Sequence, residues 1–585
     1  TLTGVLQARL DALPATERAT LQQASVVGRV FWDAAVARLS DEVRVGQSPA
    51  DAQRTVARRA ATPRDTRDLA SIARTLVSLA ALLKKDLTLP RFSSSFAGTQ
   101  EYIFKHALMH QVAYDSVLRR HRRVYHTQAA EWLIAHSGER VGEYAGLIGE
   151  HFERAGAAAR AAEWYSRAAR QAQAIYASDV AIAFYQRVLA LLPADASDVA
   201  QALRRAAAYE GLGEMLLWQG RYSEAASGYA AMRDAATTAG DAVAQARAWY
   251  GLAEVRERQG DYHAARASAS EVERIAQAIG AEVERAMALL LQGWCAFNLG
   301  DTAAALALAE AAMLLATEHD AMREMARGLN LLGVIHKARG HYANAAEAMR
   351  GALALHRELG DRLRVGGTLN NLGLTAEARG DYARALAHYQ DALTLARDIK
   401  DRELEFLSLR NLGGAHVGMG DYHAGETQLH QALEIAESAD WADRSLIYSR
   451  LSAAHLGQHD LVAALDAAQH ALARAQTPAE QGTAWRATGL VQIENEQLKI
   501  ENLAVLNSQR SMLNSPSDYF AESVRIFAAA GLQGERARTL REWARYEIAR
   551  GNRASGELLW REVRAVFMRL GMDGEVRAMN AFLTL

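Results

Sequence analysis

Cysteine is almost missing from this chain, with Cys295 alone among 585 residues. One thiol builds neither an internal disulfide framework nor a cysteine metal cluster, and it points to a reduced, cytoplasmic setting. Proline is nearly as scarce, 7 in all, so few helices need be interrupted. No apolar run approaches the roughly 18 residues of a membrane span, and no signal peptide opens the chain. Net charge is lacking too: 66 Lys and Arg stand against 68 Asp and Glu, a formal -2, so bulk composition draws neither nucleic acid nor an anionic membrane. There is no Gly-x-x-x-x-Gly-Lys-Ser/Thr stretch, hence no loop to cradle a nucleotide's phosphates. This chain alone is expected to hydrolyse no ATP and to hold no cofactor or metal. Its first residue is Thr rather than Met, and the expectation is a fragment of something longer.

What is present is a ladder. Gly220-Arg221-Tyr222, Gly260-Asp261-Tyr262, Gly300-Asp301-Thr302, Gly340-His341-Tyr342, Gly380-Asp381-Tyr382 and Gly420-Asp421-Tyr422 recur every 40 residues. An upstream column of Gly213, Ala253, Gly293, Gly333, Gly373, Gly413 and Ala453 keeps the same period. Two columns sharing one period mean a tandem repeat. Leu369 and Leu372 share a helix face, and Gly373 on that face lets a neighbour approach. Gly380 suits a left-handed helix stop, and Asp381 suits the cap of the next helix, which carries Tyr382, Ala385, Tyr389, Ala392 and Leu393 at helical spacing. Each unit therefore reads as a helix-turn-helix hairpin, and the column from Tyr222 to Tyr422 reads as packing between helices. The 50% hydrophobic composition, rich in Ala, Leu, Arg and Glu, suits an almost wholly helical array that grows without enlarging one core.

These residues resemble the tetratricopeptide repeat family: a Leu-Gly pair, a Gly-Asp-Tyr turn, then small residues three and ten positions past the Tyr. The resemblance runs from about Ala200 to Gln476, with a unit longer than the family's usual 34 residues or so and the excess expected around Ala396 to Asp401. It implies an all-α fold, a right-handed superhelix of hairpins about 40 residues long, preceded by a small winged-helix-like domain.

That domain is read from another pattern. Val5 to Leu13, Ala15 to Val27 and Phe31 to Leu39 are expected as short amphipathic helices, with Pro14 at a helix start. A polar insertion follows at about 40–68, then a helix from Leu69 to Lys84. Asp86 to Leu89 and Glu101 to Phe104 are expected as a hairpin around a Ser/Gly-rich loop, the one place for β structure. The runs Tyr102 to Leu108, Val112 to Tyr114 and Leu118 to Arg123 resemble the junction of bacterial signalling ATPases of the STAND type, as do Leu10 to Pro14 and Ala24 to Phe31. In that family an ATPase module, often behind an adenylate or guanylate cyclase domain, precedes a winged helix and a tetratricopeptide array. The resemblance implies that ATP and Mg belong to a domain before Thr1. The expected divisions are 1–135 for the winged-helix-like and connecting helices, 136–199 for degenerate repeats, 200–478 for the regular array and 479–585 for C-terminal repeats and capping helices. In the last division, Gly489 read in the glycine column and Phe520 in the turn-tyrosine column leave about 22 residues extra, an insertion at about 491–516.

The expected working surface is the inner, concave face of the first helices. It runs from Glu210, Glu214, Tyr250 and Glu254, through Trp294 and Phe297, to Asn330, Asn370, Asn371, Arg410, Asn411 and Arg450. Asn can hold a peptide backbone and Arg a carboxylate, so a peptide or protein is the expected ligand. His106 and His110 have zinc spacing but no third ligand, and packing is the preferred reading. The Arg119 to Arg123 cluster is read as a solvated face or a contact with the upstream ATPase rather than a phosphate site. Cys295 is read as a buried small hydrophobe. The favoured function is a regulatory and sensing module controlling an upstream ATPase or cyclase, with no nucleic acid or membrane partner. A passive scaffold, or the sensor region of a transcriptional regulator like the maltose-operon activators, stands as the alternative.

Overall fold

The structure is a computed structural model, and it describes residues 2–40, 64–193, 198–438, 444–498 and 515–583. Most of the expected polar insertion at 40–68, and residues 499–514 of the second insertion, lie outside the described residues. Among the described residues there are 28 α-helices, arranged mostly as tandem hairpins, and one small sheet. The chain forms two compact units, Thr1–Ala244 and Gln245–Leu585.

The first unit begins with helices Leu2–Asp11 and Ala15–Val27, strand β1 (Val30–Trp32), helices Asp33–Ser40 and Arg64–Lys84, then strands β2 (Thr88–Pro90) and β3 (Glu101–Phe104). All pairings are antiparallel in the order β1-β3-β2, with Phe31 opposite Tyr102 and Leu89 opposite Ile103. The expected hairpin thus supplies the central strand, β3, and one edge, β2, of a three-stranded sheet. Phe31 belongs to a strand rather than to the helix expected from Phe31 to Leu39. A β-branched and aromatic triplet, Val30-Phe31-Trp32, pairs with β3 and buries Phe31 between Tyr102 and Phe104, with ring centroids 5.7 and 5.4 Å away. The helix starts only at Asp33, whose carboxylate accepts from Ala34 N and from Gln100 N across the sheet.

The loop between β2 and β3 is tied by one buried carboxylate. Glu101 is 2% exposed and accepts from Ser95 N, Ser95 Oγ, Trp32 Nε1 and Arg91. Burial alone would raise its pKa, but those donors hold it below the ordinary value. Farther along, Gly149 receives the ring of Tyr165, whose hydroxyl donates to Glu153 at 2.8 Å. This geometry recurs in the second unit.

There the 40-residue period becomes pairs of helices such as Met322–Ala338 with Tyr342–Glu358, Arg362–Ala378 with Tyr382–Ile399, and Arg402–Met419 with Tyr422–Ser438. The excess over the shorter family unit lies in helix length, not in a loop at 396–401, because Tyr382–Ile399 runs on until left-handed Lys400 ends it. Gly260, Gly300, Gly340, Gly380 and Gly420 have φ from 74° (Gly380) to 87° (Gly300 and Gly420), the stop that an L side chain resists. The carboxylates of Asp261, Asp301, Asp381 and Asp421 accept from the amide three residues on. Asp361 and Asp401 do the same for the first helices. A Cβ on Gly373 would collide with the ring of Tyr389, and one on Gly413 with Leu429. Tyr389 is fully buried and donates to Glu377 at 2.7 Å, repeating the Gly149, Glu153 and Tyr165 arrangement.

Two features depart from the expected C-terminal end. Phe520 packs on Gly489 as Tyr389 packs on Gly373. It therefore fills the second-helix aromatic column rather than the turn-tyrosine column. It lies 31 residues past its glycine where Tyr389 lies 16 past, so 15 residues are extra. The last helices also do more than cover an end. Gly574 N donates to Arg379 O at 2.9 Å, and Arg538 donates to the carbonyls of Glu377 and Ala378, both at 3.2 Å. Leu570, Met572 and Tyr342 share one apolar cluster with Trp560 and Phe567. Helices Gln533–Ala549 and Asp573–Leu583 therefore fold back onto the turns at Gly340 and Gly380.

Candidate partner-binding face

The first helices of the second unit present one face inward, and side chains far apart in sequence meet there. Arg327 Nη1 donates to the Tyr250 hydroxyl at 3.0 Å, a separation of 77 residues in the chain. Arg364 stands 3.7 Å from Glu254, and Arg258 pairs with Glu403 at 3.0 Å across 145 residues. Four first helices contribute: the one ending at Arg258, then Met322–Ala338, Arg362–Ala378 and Arg402–Met419. Burial pushes the Tyr250 phenol up and the Arg364 guanidinium down, the latter helped by the charge of Arg327. The inner face is crowded and charged, and its groups compensate one another.

Trp294 and Phe297 meet edge to face at 6.3 Å. Both are half-buried and pack on the cluster of Val334, Met349, Leu353, Leu369 and Leu372, so the apolar middle is largely a seam between repeats.

The Asn/Arg end is a ladder inside the protein. Asn371 Nδ2 donates to Asn330 Oδ1 at 3.1 Å, and Asn411 Nδ2 to Asn370 Oδ1 at 2.9 Å. Each pair lies 41 residues apart, one position more than the repeat. Arg450 Nη1 donates to Arg410 O at 2.7 Å and to Asn411 Oδ1 at 3.3 Å, and its Nη2 lies 3.4 Å from Glu377. Gly414 leaves room for that guanidinium, since a Cβ there would strike it. Asn370 and Asn411 are 6% and 1% exposed. For Asn370 and Asn411 the expectation of a peptide gives way to a structural role, because a polar group buried between repeats needs a partner and the next repeat supplies one, whereas Asn330 and Asn371 are half-buried.

In the first unit, Glu214 accepts from Gln173 Nε2 at 2.8 Å. Tyr185, which donates to Gln173 at 2.9 Å, has its phenol pushed up to about 12 by burial and by the charges of Glu214 and Glu210.

The remaining sequence candidates take packing positions. His110 Nε2 hydrogen-bonds Ser25 O at 3.0 Å, and its ring meets Phe104. Among the described residues no three His, Cys, Asp or Glu side chains are grouped to hold a metal ion. Arg122 donates to Val117 O and lies over the Tyr114 ring. Cys295 is fully buried, and burial pushes its thiol up to about 12, so it stays protonated. Sequence reasoning missed Glu377, where Tyr389 and Arg450 converge, and the buried pair His126 and His151, whose Nδ1 atoms are 2.9 Å apart. The Gly-x-x-x-Glu spacing followed by Tyr twelve residues on, shared by Gly149 and Gly373, was the available signal for Glu377.

Residues 324–398 match the tetratricopeptide repeat family model. The chain carries tetratricopeptide-type repeats. No curated protein sequence matches it. Among solved structures it is similar to a Signal Transduction ATPase with Numerous Domains (STAND) protein with a tetratricopeptide repeat sensor from Pyrococcus horikoshii, at 12% identity over 87% of this chain and 67% of that one, with a TM-score of 0.47. It is also similar to a Rap protein complexed with competence and sporulation factor, at 14% identity over 63% and 98% of the two chains, with a TM-score of 0.44. A third is the apo quorum sensor NprR from B. thuringiensis, at 12% identity over 63% and 100%, with a TM-score of 0.43. No described helix is long and apolar enough to cross a membrane.

Proposed function

We propose that the chain is the sensing and regulatory module of a larger STAND-type signalling ATPase, taking a peptide or protein on the inner face of its second unit and controlling an upstream ATPase or cyclase. The observation that carries this reading is the convergence of Tyr250, Glu254, Arg327, Arg364 and Glu403 from four first helices. A ligand supplying its own carboxylate or guanidinium competes with these bridges, so occupancy is coupled to how tightly the repeats close on one another. Among the described residues of 15–104, the helix-strand-helix-helix-strand-strand order with a β1-β3-β2 sheet supports reading the N-terminal part as a winged helix that passes the change on. The junction motifs around Tyr102 to Arg123 support the STAND assignment. In this reading the chain is not itself an enzyme, ATP and Mg are bound by the upstream module, the protein is cytoplasmic, and neither nucleic acid nor membrane is a partner.

The test reads the coding frame upstream of Thr1 and then measures nucleotide turnover of the natural chain. The expected result is a phosphate-binding loop upstream and turnover that changes several-fold when Glu254→Gln and Arg364→Gln are introduced together. A frame without that loop, or turnover indifferent to the pair, contradicts the proposal.

A further inference from the structure

One groove on the array departs from its neighbours in a way that points to a ligand. It lies between second helices Tyr342–Glu358 and Tyr382–Ile399, floored by Leu353, Leu369 and Leu372, and encloses about 430 Å³. Tyr250, Glu254, Arg327, Arg364 and Glu403 do not line it, although its floor leucines belong to the cluster on which Trp294 and Phe297 pack.

The 40-residue register shows why this groove is open. Ala346 occupies the column of Leu306 and Leu386, and Ala354 that of Leu314 and Thr394. Two side chains that would fill the trench are shortened here and at neither neighbour. The rim changes as well. Arg350 stands where the flanking repeats have Glu310 and Gln390, Arg384 where they have Asn344 and Ala424, and His388 where they have Ala348 and Gln428. Arg357 lies on the same wall as Arg350. Arg350 and Arg357 are exposed and make no hydrogen bond or ion pair among the described residues. The other charges at the rim are partly spent: Asp381 caps Arg384 N and lies 3.4 Å from its side chain, Arg379 lies 3.5 Å from Asp573, and Asp391 is exposed.

We infer that this trench binds an acidic peptide segment, an apolar side chain of leucine size entering between Ala346 and Ala354 while flanking carboxylates pair with Arg350, Arg357 and Arg384. The apolar floor selects a side chain, which a bare phosphate does not offer. The free guanidiniums of Arg350 and Arg357 select carboxylates, which they can grip bidentately, and Arg384 beside Asp381 adds to the positive rim.

The test is fluorescence polarisation with the whole chain and three labelled ten-residue peptides, alternating Glu with Leu, Lys with Leu, and Glu with Ser. Two variants accompany it: Arg350→Glu with Arg357→Glu, both exposed, and Ala346→Leu, which restores the neighbours' residue and so fits the fold. The Glu/Leu peptide is expected to bind and to weaken about tenfold or more in each variant, by loss of charge-assisted contacts when the arginines are reversed and by filling of the side-chain slot in Ala346→Leu. Its binding should also fall as salt rises, and the other two peptides should bind poorly. No binding of the Glu/Leu peptide at millimolar concentration overturns the inference, as does binding in both variants as tight as in the wild type. Equal binding of the Glu/Ser peptide, or tighter binding of an oligonucleotide with the same variant sensitivity, overturns it too.

Discussion

The middle of the array, residues 322–438, and its C-terminal end, residues 478–583, are built from the same kind of hairpin and held together differently. In the middle, a glycine meets a large side chain, an Asp caps a helix and an amide reaches its counterpart in the next repeat. At the end, a chain of half-buried charges takes over, centred on Glu575. Arg486 pairs with Glu535, Glu535 with Arg538, and Arg538 with Glu575, which also contacts Arg541. Glu575 is only 4% exposed. Repeated neighbour contacts spread stability evenly along an array. A shared ionic network concentrates it, because removing one member takes charge-assisted hydrogen bonds from several others at once.

The sharpest way to break the comparison is at Arg538. Replacing it with Met should cost about 1–3 kcal/mol, because Glu535 and Glu575 each lose a charge-assisted hydrogen bond while keeping Arg486 and Arg541. Amide exchange at 573–583 should then speed up while that at 362–399 changes far less. Equal protection in both forms would show that the network does not hold the fold-back.

Acid sharpens the contrast next. Burial, against the pull of Asp361 and with Arg364 and Arg327 nearby, lowers the His356 pKa to about 4. The folded state therefore holds its full advantage above the ordinary value of 6.5 and loses it as pH falls from there toward 4, by about 3 kcal/mol. Glu535 is lowered to about 2 against its own burial by Arg538 and Arg486, so its contribution persists above 4.5 and fades only below. The middle should weaken at higher pH than the end. Substituting His356→Leu should flatten the melting temperature between pH 6.5 and 4, and an unchanged slope would remove His356 from the explanation.

Within the middle, Gly373→Leu should cost on the order of 1–3 kcal/mol by forcing a side chain into Tyr389. Gly413→Leu should cost about as much against Leu429, since the contact repeats. The smallest effect is a cap. Asp381→Ala should cost about 1 kcal/mol by freeing Arg384 N, measured by chemical denaturation with Asp421→Ala as its twin.

What was legible in the sequence follows the same division. Gly380, Asp381 and Tyr389 act through local rules, left-handed stops, caps and helical spacing, and a fixed period multiplied that signal. Strand β1 was hidden because three residues carry too little pattern, and it exists only through its pairing with β3. The fold-back of Gly574 onto Arg379 joins positions 195 residues apart, and no local rule reports such a distance. At the candidate face, Tyr250, Glu254 and Trp294 were found by column, yet the bridges from Arg327, Arg364 and Glu403 were not, since curvature sets which repeats meet. Asn370 and Asn411 looked like ligand groups because their pairing needs one residue more than the period.

The most direct test of the inner face is a spin-label distance between Gln259 and Arg402, beside the Arg258 and Glu403 pair, in the wild type, in Arg364→Glu and in Glu254→Arg with Arg364→Glu. The account predicts a short, narrow distribution that lengthens or broadens when Arg364 is reversed and recovers when both charges are exchanged. The same distribution in all three proteins would contradict the claim that these bridges set the closure of the proposed ligand-binding face.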